Sequence, residues 1–200
     1  MNTKLLVRSA ALSAFALVPG LAHAHTGVGD VSGFAHGFAH PLSGLDHILA
    51  MVVVGLFAAQ LGGRSRWLVP MSFVSVMMLG VAFGLAGITV PLVELGIGLS
   101  IVVLGGAVAF GLKAHVAAAM ALVGFFAVFH GYAHGAEVPE TASGLAYGAG
   151  FVLATATLHA VGLGLGLLLH SKGKARGSLL IRSLGTVAAV AGVCVVTGLV

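Results

Sequence analysis

Residues 67–88 read WLVPMSFVSVMMLGVAFGLAGI, a run of 22 residues without one Asp, Glu, Lys or Arg. As a helix such a run rises about 33 Å, enough to cross the ~30 Å hydrocarbon core of a bilayer. The run is continuously apolar instead of alternating, so it satisfies its backbone as a helix and not as a barrel strand. Working outward, Leu42–Leu61, Pro91–Leu112, Ala142–Leu169 and Leu179–Val200 are also near or above spanning length, whereas Val116–Tyr132 is shorter and ends in polar residues. Its outer end is therefore expected to face protein or water. The reading is an all-α membrane protein with six transmembrane helices. Composition agrees: 59% hydrophobic and 7% charged residues, against about 45–50% and about 25% in globular chains, exclude both a soluble domain and disorder.

Residues 1–24 read as a cleaved signal peptide: Lys4 and Arg8 precede an apolar stretch from Ala10 to Val18, then Pro19-Gly20, then Ala22-His23-Ala24 as a small-x-small cleavage site. An uncleaved first transmembrane helix is the alternative, but the apolar stretch falls short of ~20 residues. Cleavage after Ala24 leaves 25–200 as a single six-helix domain and makes His25 the new N-terminus. Arg64, Arg66, Lys113, Lys172, Lys174, Arg176 and Arg182 all fall at alternate loops, and the other loops of 25–200 carry no Lys or Arg. That bias puts these loops inside and both mature termini outside, in the periplasm. The net charge of +4 comes from these clusters, which orient the chain in a lipid bilayer; a nucleic-acid partner is not expected. Glycine, at 31 residues, falls within the spans and reads as small-residue packing between helices. The same small-residue faces are compatible with a homo-oligomer.

Two stretches carry the chemistry: HGFAHPLSGLDH at 36–47 and FHGYAHGAE at 129–137. Both contain His-Gly-aromatic-Ala-His, and Ser-Gly-Leu recurs at 43–45 and 143–145, as an old duplication would leave. At about 100° per residue, His130, His134 and Glu137 fall within roughly 60° of arc on a helix that continues that far. In the first stretch Pro41 suits a first helical turn, which puts His40 at the N-cap and Asp46 and His47 inside the span. An acidic side chain at such a depth is costly unless paired or wet, and marks a functional site. The antiparallel course of these two spans puts His36, His40, Asp46, His47, His130, His134 and Glu137 at the outer ends of their helices, where they can converge. His25 joins them as a candidate, its α-amine and imidazole closing one chelate ring; a frayed terminus that happens to begin with histidine is the plain alternative. The single cysteine, Cys194, excludes thiolate clusters, so a metal would be held by nitrogen and oxygen. Motifs for zinc proteases, serine hydrolases and P-loop ATPases are missing, which argues against an enzyme. Bis-histidine haem would use similar residues, but the neighbouring acids favour a cation.

His40-Pro41-x-x-Gly44-x-Asp46-His47 followed by Phe129-His130-Gly131-x-Ala133-His134-Gly135-x-Glu137 resembles the HupE/UreJ family of hydrogenase and urease accessory proteins. The resemblance implies a permease of the bacterial inner membrane that imports nickel, sometimes cobalt, for metalloenzyme assembly, with the motif residues as ligands. Ni²⁺ or Co²⁺ is then the transported substrate, and no permanent cofactor is expected. The rival reading is a non-transporting metal- or haem-binding subunit of a respiratory or maturation complex. Imidazole coordinates only when neutral, so uptake should weaken as pH falls through about 6.5. Of the remaining polar residues, Glu94 reads as a helix N-terminal acid or an extra cation-attracting group. His159 reads as a packed, hydrogen-bonded histidine in preference to a second transport station. Asp30, Glu140 and His170 read as loop or interface residues, His115 as cytoplasmic-side, and Met51 as core.

Overall fold

The computed structural model describes residues 30–137 and 144–199. The signal-peptide segment, His25 and Glu140 lie outside the described residues. Within them the chain forms seven helices: α1 Asp30–Ser43, α2 Leu45–Leu61, α3 Ser65–Leu85, α4 Val93–Ala109, α5 Val116–Ala136, α6 Gly144–His170 and α7 Lys174–Val196. Four stretches, Ser65–Leu85, Val116–Ala136, Gly144–His170 and Ala175–Val196, are each long and apolar enough to cross a membrane; the bent pair α1–α2 makes a fifth if it counts as one span. The chain is thus an all-helical, multi-pass membrane protein. Its large exposed side chains, among them Trp67, Phe110, Phe125, Leu145 and Leu168, face outward from the bundle, where lipid is the natural solvent.

Three expectations are corrected. In place of a helix that begins at Pro41 with His40 as its N-cap, the chain is helical from Asp30, and Pro41 lies inside α1. Proline there removes one backbone donor, and α1 ends two residues later at Ser43. Gly44 is extended, with φ −99° and ψ 123°, and is the N-cap of α2; across it the chain turns by 83°. Second, the span expected over Pro91–Leu112 contracts to the 17-residue α4, about 26 Å long and at the lower limit for crossing. Leu92, left-handed at φ 57°, sets its start, and Gly111 at φ 66° lies just beyond its end. Third, the short span Val116–Tyr132 continues to Ala136, which brings His134 into the helix.

Glycine explains how the helices come together, and why the repeated His-Gly-aromatic-Ala-His has its form. A Cβ at Gly131 or Gly135 of α5 would run into the backbone carbonyls of Met77 and Val81 on α3, and one at Gly80 of α3 into that of Val128. Likewise a Cβ at Gly37 of α1 would meet the Tyr147 carbonyl of α6, and one at Gly162 of α6 the Val52 carbonyl of α2. In both copies of the repeat, then, the histidines at i and i+4 share one stripe, and the glycine beside the first lets a neighbouring helix approach to backbone contact. Not every glycine does such work: a Cβ at Gly148 or Gly164 would meet nothing within 4 Å.

The helix ends sort by chemistry. Where α2, α4 and α6 finish and α7 begins, Arg182 Nε donates to the Ala109 carbonyl at 2.7 Å and Gln60 Nε2 to the Leu112 carbonyl at 3.5 Å. A cavity lined by Gln60, Lys113, His170 and Ser178 opens at this same end. The histidine-rich ends of α1, α2 and α5 lie at the opposite one.

Candidate metal centre

Helices α1, α2 and α5 deliver the candidate ligands among the described residues to a single cluster. His40 from α1 and Glu137 from the end of α5 meet at 3.0 Å between Nε2 and Oε2. One ligand atom each from His40, His134 and Glu137 lies within 4.8 Å of the others, so a modest rotation of side chains would bring all three onto one first-row cation, whose metal–nitrogen bonds are about 2.0–2.1 Å. His134 is the inward member, 2% exposed; Glu137 is 61% exposed by side chain and stands at the mouth. The expectation that helical spacing aligns the second motif therefore holds for His130 and His134, while Glu137 sits at the C-cap of α5 with φ −102° and ψ 2°.

Below that triad the imidazoles continue inward as a contiguous series. Ring centroids are 4.7 Å apart for His40 and His134, 4.5 Å for His134 and His47, and 4.9 Å for His47 and His130. His36, exposed on α1, stacks on His40 at 5.9 Å and begins the series at the surface.

Two members have their tautomers set by a neighbour. Asp46 Oδ1 accepts both the backbone N–H of His47 at 2.8 Å and the ring Nδ1–H at 3.0 Å. His47 Nε2 is thereby left as the lone-pair nitrogen, and it is buried with no hydrogen-bond partner among the described residues. The carboxylate of Asp46 thus acts on the ring of His47, in the manner of a carboxylate that orients a metal-ligating histidine. Ser100 of α4 does the same for His130. Its hydroxyl donates to the Ile97 carbonyl at 2.6 Å, so the 2.9 Å contact with His130 is Nε2–H donating to Ser100 Oγ. His130 Nδ1 then carries a lone pair, again buried and unpartnered among the described residues, as are both ring nitrogens of His134. A buried nitrogen without a partner costs about 1–3 kcal/mol, and several side by side are what a cation-binding cluster needs before its ion arrives.

Sequence reading missed three contributors. Ser100 is a single hydroxyl in an apolar helix, and its complete burial shows only in the structure. Tyr147 of α6, 2% exposed, lies 6.0 and 6.2 Å ring to ring from His36 and His40. Phe73 of α3 lies 5.6 Å from His130. His159 is a correction: in place of the expected hydrogen bond, both its ring nitrogens are buried with no partner among the described residues.

The fold and site define a multi-pass helical membrane protein with a histidine and carboxylate cluster at one end of its bundle. The family model for the HupE / UreJ protein matches residues 13–195, and the chain belongs to that family. It is 44% identical to Protein HupE of Rhizobium leguminosarum bv. viciae over 187 residues, covering 94% of this chain and 95% of the relative. No solved structure matches the chain.

Proposed function

We propose that the chain is a permease of the bacterial inner membrane that imports Ni²⁺, and Co²⁺ as a second substrate, for metalloenzyme assembly. The observation that carries this reading is the unbroken run of imidazoles from His36 to His130, flanked by Glu137 and Asp46, with lone-pair nitrogens already presented by His47 and His130. A run of ligands suits passage better than storage, because each hand-over exchanges one or two donors while the ion keeps the rest. Glu137 and His36 strip part of the hydration shell, the triad of His40, His134 and Glu137 receives the ion, and His47 and His130 draw it inward. Asp46 and Ser100 act through those two rings. His25 is a capture arm ahead of the triad. All ligands are nitrogen or oxygen, which suits nickel and cobalt.

In this reading residues 1–24 are removed as a signal peptide, α2–α7 make six crossings, and both mature termini and the site face the periplasm. Cells producing the chain are expected to accumulate nickel and cobalt above empty-vector cells at limiting metal, and zinc less. Equal accumulation with and without the chain overturns the proposal. The rival haem-binding reading predicts a haem absorption band in the purified protein, and the permease reading predicts none. Orientation has its own test in a Cys194→Ala background. A membrane-impermeant thiol reagent should label Ile88→Cys, at the site end, and spare Lys172→Cys, at the basic end, in intact cells with a permeabilised outer membrane. Labelling of both to the same extent rejects the orientation.

A further inference from the structure

Beyond His130 the series of rings does not stop. Phe73 of α3 presents its ring 5.6 Å from His130 on one side and 5.1 Å from His159 of α6 on the other, edge-on to the latter at 87°. His159 is 3% exposed, and neither ring nitrogen has a hydrogen-bond partner among the described residues. It continues a buried stripe of α6 at four-residue spacing, Tyr147, Phe151, Thr155 and His159, and so stands about 18 Å further along the helix than Tyr147 at the outer cluster. One turn before it, Thr155 Oγ1 donates to the thioether of Met77 at 3.8 Å. His159 also borders a cleft of about 330 Å³ between α3 and α6, whose walls include Trp67, Pro70 and Met71 and which reaches Arg66. Arg66 marks the end of the bundle opposite the site.

We infer that His159 is a second, inner station for the transported metal ion, set apart from the outer cluster by the ring of Phe73; this rests on the permease reading. A structural histidine would hold a hydrogen bond, as His170 at the exposed end of the same helix does with the Gly166 carbonyl at 2.9 Å. His159 instead holds two buried polar atoms without compensation, at a position where leucine would be cheaper. No carboxylate accompanies it among its contacts, so the station binds with neutral donors alone and more weakly than the triad near Glu137. Weak binding is what an intermediate site in a pathway requires, since an ion held tightly there would not leave.

The test compares His159→Leu, His159→Asn and His159→Cys for cobalt uptake in cells, in a Cys194→Ala background and at equal membrane levels, with cobalt binding by each purified protein measured alongside. The inference expects Leu and Asn to lose at least tenfold in uptake while binding at the outer cluster stays within about twofold of the parent. Cys, a metal ligand where Leu and Asn are not, should recover a substantial part of the flux. A structural role predicts the reverse order, with Leu and Asn tolerated and Cys no better. Parent-level uptake by the Leu and Asn variants, or a Cys variant no better than Leu, overturns the inner station while leaving the permease intact. Should the parent take up no cobalt or nickel, the permease reading falls and the inner station with it. If Leu reduces the amount of protein in the membrane, Asn and Cys, both polar and smaller than histidine, decide the matter between them.

Discussion

Replacing His134 by leucine is expected to lower nickel uptake by more than tenfold and, at the same time, to leave the protein as stable as the parent or more so. His134 is the hinge of the cluster: its ring lies 4.7 Å from His40 and 4.5 Å from His47, and it belongs to the triad with Glu137. Loss of a residue that merely orients a metal ligand costs about 10–100-fold in affinity or activity, so loss of a ligand shared between two successive sites should cost at least as much. Stability should move the other way. Both ring nitrogens are buried without partners among the described residues, a burden of about 1–3 kcal/mol, and the ring packs 4.1 Å from that of Phe151, an apolar contact that leucine can replace. The measurement pairs uptake in cells with thermal unfolding of the purified protein in detergent. Retained uptake would remove His134 from the path; a large fall in melting temperature would show instead that the imidazole was structural.

Much of this is legible in sequence, and the physical reasons divide clearly. The charge-free run at 67–88 can only be a membrane helix, and α3 covers most of it. Both motifs announce themselves because ionisable residues among apolar spans have few structural uses. What sequence does not supply is the break at Gly44. Pro41 signals a helix start under ordinary rules, and only the packing of Gly37 and Gly150 against the backbones of α6 and α1 explains why the chain is already helical before it. Ser100 and Phe73 are invisible for a different reason: a serine and a phenylalanine in apolar helices look like any other, and their role comes from the helix opposite. His159 is misread because a hydrogen bond is assumed where tertiary structure provides none. Asp46 is read as a ligand from its depth in an apolar span, and the sequence does not show that its carboxylate faces its own neighbour, His47, at 3.0 Å.

That geometry leads to the second large effect. If Asp46 were itself the principal ligand, asparagine and alanine in its place should be about equally damaging, because each removes the charge that would hold the cation. If it works by accepting the Nδ1–H of His47, the two variants should separate. The asparagine variant keeps an oxygen able to accept that proton and the backbone N–H of His47, so the orientation of the His47 ring toward a metal survives. The alanine variant keeps no such oxygen, and His47 is free to turn or to change tautomer. Asp46→Ala is therefore expected to lose about 10–100-fold in nickel affinity and uptake, and Asp46→Asn to recover a clear part of that loss, with its remaining deficit reflecting the missing charge. Equilibrium binding of nickel to the purified variants reads the difference directly, and His47→Ala supplies the limit: combined with Asp46→Ala it should add little, because both substitutions disable the same ring. Additive losses in the double variant, or equal losses for asparagine and alanine, would return Asp46 to the ligand set and leave His47 to be oriented by the packing of His130 and His134 around it.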